Sequence, residues 1–342
     1  MTIKRGLTLG KYAPLHKGHQ LVIETAFSLM DEVVVMIYDC PAVTPIPLTV
    51  RANWLRKIYP KIEVIEAWDG PTEVGNTPEI EKKHEDYILK RLESRKITHF
   101  FCREFYGEHV SRALNAVNWL VDCGRIQVPI SGTQIRKDPF ASSEFLHPIV
   151  YRDLITNVVF LGAPSTGKTT IASNLAEEFN TVWMPEYGRE YWEQHQVNRR
   201  LSLEQLVEIA QGHLEREEAL LCQANQYLFT DTNALTTYQF SLYYHNTAAS
   251  ELAQLAHQAA SRYDLVFVCS PDIPYDDTAD RSGETNRTIF QKQIESDLIL
   301  RKIPFFRLIG DLDTRIQYVK KVLAQYQKYG NLIDLFSAKS IL

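Results

Sequence analysis

The chain has 342 residues, 45% of them hydrophobic and 23% charged, which is material for about two packed domains of ordinary size. A net charge of −5 argues against broad attraction to a nucleic-acid backbone or an anionic membrane, and so against those partners. It leaves small anionic ligands open, because a few local donors outweigh the global sign.

In chain order, residues 5–12 are expected as a strand, followed by a glycine-containing turn and an amphipathic helix through LVIETAFSLM. EVVVMIYD, apolar on both faces, reads as a buried parallel strand. A helix around RANWLRKIY, the strand IEVIEAW, a long helix across PEIEKKHEDYILKRLESR and the strand THFFCRE come next. HVSRALNAV reads as a helix, and RIQVPI as the strand that leads into SGTQIR. The stretch KDPFASSEFLHPIVYRD holds two prolines and a serine pair with little periodicity, which sets a junction near residue 150, bridged by a short helix. Alternation then resumes with the strand NVVFLG, the loop GAPSTGK, the helix TTIASNLAEEF and the strand TVWMPEY. A long helix capped by Ser202, the parallel strands YLFTDT and DLVFVCS, a last strand PFFRLIG and a helix from Asp311 complete the chain. The pattern predicts an α/β protein of two fused parallel-sheet domains, at 1–150 and 151–342.

Cys40, Cys102, Cys123, Cys222 and Cys269 are scattered, odd in number and free of C-x-x-C pairs, which indicates neither zinc nor a disulfide framework. The N-terminus has no secretory pattern, and apolar runs such as VVVMIY are too short to span a bilayer. A cytoplasmic location is expected, and a homo-oligomer is compatible with the sequence.

GAPSTGKT, Gly162 to Thr169, fits G-x-x-x-x-G-K-T/S in full, between a strand and a helix. In such a loop Gly162 and Gly167 let the backbone wrap closely, Lys168 reaches the outer phosphate oxygens and Thr169 ligates Mg²⁺, with Ser165 and Thr170 beside them. Asp231 and the pair Glu186 and Glu190 fall at strand ends, where open α/β sheets bind ligands. Asp231 suits a Mg²⁺-linked carboxylate, and Glu186 an acceptor for the proton of a reacting hydroxyl. Each acid taken alone equally reads as a helix cap or surface pair. Arg281 and Arg287, both in DDTADRSGETNR, read either as lid arginines or as solvated loop residues.

The N-terminal half carries a second phosphate-type site. In HKGH, Gly18 permits close approach of a ligand to a helix N-terminus, with His16 and His19 on either side. ISGTQIR, Ile130 to Arg136, opens another polar turn that Ser131 and Thr133 can cap, while Arg136 adds a guanidinium fork. The two motifs together resemble nucleotidylyltransferases of the HxGH type, whose second signature is ISxTxIR. With GAPSTGKT downstream, nearly the whole chain resembles the bifunctional nicotinamide-nucleotide adenylyltransferase / ribosylnicotinamide kinase family (NadR-type). GKYAPLHKGH, RANW, ISGTQIR, GAPSTGKT, PEYGREY, TDTNALTT and DDTADRSG occur in the order that family shows.

The resemblance implies a Rossmann-like HxGH nucleotidylyltransferase domain followed by a P-loop kinase domain, with ATP as co-substrate and Mg²⁺ as cofactor. The kinase half would phosphorylate the 5′-hydroxyl of nicotinamide riboside. The other half would join the mononucleotide to AMP from ATP, giving NAD and pyrophosphate with no enzyme nucleophile. His16, His19 and Arg136 would act on the ATP phosphates, with Lys11 beside them, and Lys168, Glu186 and Asp231 would serve the kinase. Trp54 corresponds to a tryptophan near nicotinamide in the family, although a tryptophan in an amphipathic helix also reads as core; Tyr187, Arg189 and Glu190 would contact the kinase substrate. The chain starts directly on the first strand, with no helix-turn-helix ahead of it, so no DNA-binding role is expected. Asn233 stands where the family has the second acid of Asp-Thr-Asp, and FCREFYGE lacks the serine pair that often precedes the acidic residue there. Two other readings remain: an HxGH transferase for another phosphate acceptor fused to a different small-molecule kinase, and a non-catalytic ATP/NAD sensor.

Overall fold

The computed structural model describes residues 3–73, 75, 77–104, 106–197, 200–275 and 284–330, and the chain divides into two units, Met1–Tyr151 and Arg152–Leu342. The division falls within a short helix, Pro148–Leu154.

The first unit alternates β1 (Arg5–Gly10), α1 (Lys17–Leu29), β2 (Glu32–Tyr38), α2 (Leu48–Ile58), β3 (Glu63–Ala67), α3 (Pro78–Leu92), β4 (His99–Cys102), α4 (Gly107–Ala113), β5 (Val117–Leu120) and α5 (Gly132–Lys137). Its strands form one parallel sheet in the order β3-β2-β1-β4-β5. Val33 to Tyr38 are buried on both faces of β2, as a strand covered by helices requires. Leu7, Val34, Met36 and Phe100 pack against Ile88 and Leu92 of α3. The strand order reverses between β1 and β4, and at such a switch point open α/β sheets form their ligand crevice outside the strands' carboxyl ends.

Two sequence expectations fail here. RIQVPI is a loop, and the fifth strand is VNWL, at the end of what the pattern assigned to a helix. The Asp122 carboxylate accepts hydrogen bonds from the N–H groups of Ile126, Gln127 and Val128, which curls the RIQVPI backbone around one side chain. VNWL lies at the sheet edge with Val117, Trp119 and Leu120 exposed, so it lacks the alternation of a half-buried strand.

After α6 (Pro148–Leu154), which spans the division, the second unit runs β6 (Thr156–Leu161), α7 (Lys168–Glu178), β7 (Trp183–Met184), α8 (Tyr187–His195), α9 (Leu203–Leu221), β8 (Tyr227–Asp231), α10 (Ala234–His245), α11 (Ser250–Ala259), β9 (Leu265–Cys269), α12 (Glu284–Leu300), β10 (Phe306–Leu308) and α13 (Leu312–Gln325). The sheet is parallel, in the order β10-β9-β6-β8-β7. Successive residues of β6 point to opposite faces. Phe160 joins Phe229, Phe267 and Phe306 in an aromatic row under α7 and α13, with Val158 in the same cluster and ring centroids 5.4–6.3 Å apart between neighbouring strands. Val159 and Leu161 pack on the other face with residues of α9 to α12. The α/β class with two parallel-sheet domains, expected from the pattern, is therefore observed.

Candidate active sites

In the first unit the chain leaves β1 and reaches His16, which takes an extended backbone and caps α1. Its Nδ1 accepts the Gly18 N–H at 3.1 Å, while Nδ1 of His19 accepts the His16 N–H at 3.4 Å. Two imidazoles thus fill the places that a hydroxyl and a carboxylate take in an ordinary capping box. The rings stack with centroids 3.8 Å apart. With both Nδ1 atoms accepting, the ring proton of each neutral imidazole sits on Nε2. Gly18 is required by close approach: a Cβ there would stand 2.0 Å from Nη1 of Arg103.

Arg103 follows β4 on the other side of the switch point, and sequence reasoning did not single it out. Its guanidinium donates to the Asp122 carboxylate at 2.6 Å and to the Val128 carbonyl at 2.8 Å. This buried pair fixes the cation beside the N-terminus of α1. Arg136 donates to the Ala13 carbonyl at 2.9 Å and to Thr133 Oγ1 at 3.0 Å. A Cβ on Gly132 would lie 3.7 Å from Nε2 of His16, so the start of α5 and the imidazole adjoin. Ser131 caps α5, its hydroxyl engaged with Gln134. Arg51, fully buried and also missed, donates to the carbonyls of Lys11, Tyr38 and Ile46 and ties the ends of β1 and β2 together. The Lys11 side chain is exposed.

Burial, followed by the fields of Arg103, Arg125 and Arg136, pushes the His16 imidazole down to about 3. Burial and the neighbouring His16 hold His19 well below its usual value. Both rings are neutral at pH 7. For His16 the sign is that the unfolded chain, titrating near 6.5, binds a proton that the folded chain refuses. Stability is accordingly lost as pH falls from about 6.5 towards 3, on the order of 1–2 kcal/mol by pH 5 from this group. Histidine ring NMR should find His16 neutral at pH 5; titration near 6.5 would contradict the assignment.

Trp54 of α2 is wholly enclosed, as a core residue is, and offers no open ring face. Stacking on a ligand would require its surroundings to open.

In the second unit, the loop after β6 has the geometry that its glycines imply. Gly162 has φ 142°, and a Cβ there would meet the Cys269 carbonyl oxygen at 2.6 Å. Gly167 takes a left-handed φ of 83° and caps α7. Lys168 is buried, with Nζ donating to the Ala163 carbonyl at 3.1 Å. Three side chains from distant sequence brace the loop. Arg315 of α13 donates to the Thr166 carbonyl at 2.7 Å, Arg287 of α12 to the Ser165 carbonyl at 2.7 Å, and Gln291 Oε1 accepts the Ala163 N–H at 2.9 Å. Arg315 and Gln291 carry no sequence signal of this role. Arg287 is buried and also donates to the Ile273 carbonyl, so it is anchored to loop backbone rather than solvated. Arg281 lies outside the described residues.

The Thr169 hydroxyl donates to Oδ2 of Asp231, at the end of β8 beside β6. The other oxygen, Oδ1, is buried without a hydrogen-bond partner. Burial first, and then repulsion by Glu186, hold the Asp231 carboxyl above the usual carboxylate range, against the opposing field of Lys168. A cavity of about 430 Å³ opens over the loop, lined by Gly162, Ser165, Gly167, Lys168, Thr169 and Thr170 on one side and by Glu186 and Arg189 on the other. Tyr187 and Glu190, one and four residues on from Glu186, line neither this cavity nor its neighbour. Glu190 forms a two-pronged ion pair with Arg216 of α9, whose guanidinium lies 3.9 Å over the Tyr187 ring.

A helix-capped, arginine-rich crevice at one switch point and a phosphate loop at another define a fusion of a nucleotidyl-transfer domain with a P-loop nucleotide-binding domain. Residues 7–138 match the cytidylyltransferase-like family, and residues 157–315 match an AAA domain family. The trifunctional NAD biosynthesis/regulator protein NadR of Escherichia coli (strain K12) is 27% identical over 350 residues, covering 94% of this chain and 83% of that protein. NadR of Salmonella typhimurium is likewise 27% identical over 347 residues, with the same coverage. Crystal structures of a NadR protein, one in complex with NAD and AMP-PNP and another with NR, align with TM-score 0.56 at 22% identity over 98% of this chain and 95% of theirs. Over 94% of its length the chain is thus similar to NadR proteins, with a cytidylyltransferase-like match in its first unit and an AAA domain match in its second.

Proposed function

We propose that the chain makes NAD from nicotinamide riboside in two ATP-consuming steps, one in each unit. The observation that carries this reading is the co-occurrence of two separate, preformed phosphate sites: the His16–His19–Arg103–Arg136 crevice and the loop Gly162–Thr169.

In the second unit, the riboside 5′-oxygen attacks the γ-phosphorus of ATP. The new O–P bond forms as the bond to the β,γ-bridging oxygen breaks, and ADP leaves. Lys168 follows the outer phosphate oxygens, and Glu186, in the cavity wall, takes the hydroxyl proton. Arg189 pairs with Glu186 at 3.5 Å and keeps it aimed into the cavity. The unpartnered Oδ1 of Asp231 and the adjoining Thr169 hydroxyl form a hard-oxygen donor pair that fits Mg²⁺, which takes one or two protein oxygens and completes its shell with phosphate and water. When bound, the ion would neutralise charge on the phosphate oxygens.

In the first unit, a phosphate oxygen of the mononucleotide attacks the α-phosphorus of ATP and pyrophosphate departs. No enzyme nucleophile is involved, so catalysis rests on positioning and on donors aimed at the growing negative charge. The Nε2–H groups of His16 and His19 supply neutral donors, while Arg103 and Arg136 supply fixed positive charge. A triphosphate entering this crevice offsets the arginine fields that depress the imidazoles and strengthens their hydrogen bonds. The substrates are small molecules, and a cytoplasmic site of action without nucleic acid or membrane partners accompanies this reading. No helix among the described residues is long and apolar enough to cross a membrane.

Product analysis from nicotinamide riboside and ATP tests the proposal: the mononucleotide should appear first and NAD after it. Failure to form NAD from supplied mononucleotide, with turnover of another phosphate acceptor, would favour a different transferase. Tight ATP binding with no product would favour a sensor.

Asp231→Asn gives a sharper test of the kinase site. Riboside phosphorylation should fall by at least about a hundredfold, because the charged member of the donor pair is gone. The same variant should unfold at higher temperature at pH 8. A raised carboxyl binds its proton more tightly folded than unfolded, so wild-type stability declines as pH rises above the unfolded value of 3.8 and stays lower once Asp231 is ionised. A destabilised variant at pH 8 would refute that account.

A further inference from the structure

Next to the cavity at the phosphate loop lies a second one of about 140 Å³, and the two share Glu186, Arg189, Thr236, Phe240 and Tyr244 in their walls. These shared residues mark the junction where an acceptor hydroxyl meets the terminal phosphate. The second cavity therefore takes the end of the acceptor remote from that hydroxyl. Trp192, Leu206, Ile209 and Phe240 give it mainly apolar and aromatic walls, suited to a flat cationic ring.

His213 of α9 lines the second cavity and not the first. Its side chain is buried, and Nε2 has no hydrogen-bond partner. A buried polar atom left unpaired is costly, and it becomes useful when a ligand completes it. Burial first, and then the guanidinium groups of Arg262 and Arg216, push this imidazole down to about 4, so the ring is neutral at pH 7. Arg262 is engaged by Glu217 and Glu218, and Arg216 by Glu190, which leaves the imidazole as the pocket's uncharged polar contact on α9. An imidazolium would repel a pyridinium ring. A neutral imidazole offers either an N–H or a lone pair, and a carboxamide can answer both.

We propose that His213 is a specificity-determining residue whose Nε2 hydrogen-bonds the ring carboxamide of the riboside in the second cavity. The assignment rests on the kinase reading above and names the part of the acceptor that the site recognises. Sites built to pair a polar group discriminate strongly against an analogue that lacks it.

The test compares nicotinamide riboside with the riboside of unsubstituted pyridinium. Wild-type enzyme should prefer the former at least tenfold in kcat/KM. His213→Leu should lower kcat/KM for nicotinamide riboside by roughly 10–100-fold and leave the pyridinium riboside within about twofold, with the KM for ATP unchanged. His213→Gln, whose side-chain amide can again donate or accept a hydrogen bond, should recover part of the loss. Equal losses on both ribosides, or no loss, would overturn the proposal. If His213→Leu does not fold, ring ¹⁵N NMR of the wild type decides: an Nε2 shift with nicotinamide riboside alone supports the contact, and an unmoved resonance refutes it. Should the wild type phosphorylate neither riboside, the kinase reading falls and this assignment with it.

Discussion

Lys168→Ala should abolish phosphorylation of nicotinamide riboside, by at least about a hundredfold in kcat/KM, while leaving NAD formation from supplied mononucleotide essentially unchanged. The amine is buried inside the loop, held on the Ala163 carbonyl 3.1 Å away, and thus preorganised for phosphate oxygens. Its charge also opposes the forces that raise the Asp231 carboxyl, so truncation should push that group higher still and shift the kinase pH profile upward. Steady-state rates of both half-reactions on the same preparation, with ADP and pyrophosphate measured separately, check the result. A comparable fall in both would mean that the two phosphate sites do not act independently.

For the first unit, His19→Ala should reduce NAD formation at least about a hundredfold and spare riboside phosphorylation. Truncation of His16 adds a structural cost, since its Nδ1 caps α1, and loss of such a cap costs roughly 1 kcal/mol. His16→Asn separates the two roles. Asparagine is a good helix cap but does not reproduce the imidazole Nε2–H. The expected outcome is a near-normal unfolding temperature with NAD formation still depressed by about two orders of magnitude. Near-normal activity in His16→Asn would show that the ring serves only to cap the helix.

The motifs that could be read from the chain are those whose chemistry is local. HKGH, SGTQIR and GAPSTGKT each contain the residues that bend their own backbone, cap their own helix and present the charged or polar groups. The fold class was likewise legible, because a parallel strand covered on both faces must be a short apolar run such as VVVMIY. VNWL was not, since an exposed edge strand loses that signature, and RIQVPI misled because nothing nearby reveals that the Asp122 carboxylate will gather its N–H groups.

Residue types and spacing within a few positions thus determined the two phosphate loops and the alternating sheet architecture, since hydrogen bonds between near neighbours need no distant partner. Only the tertiary structure decided what meets across strands. It brought Arg103 against Gly18, braced the phosphate loop with Arg315 and Gln291, paired Glu190 with Arg216 and enclosed Trp54. It also left Nε2 of His213 unpaired beside an apolar cavity. A side chain's surroundings, and with them its charge and its available bonds, are set by segments tens to hundreds of residues away, and no periodicity in one stretch of chain encodes them.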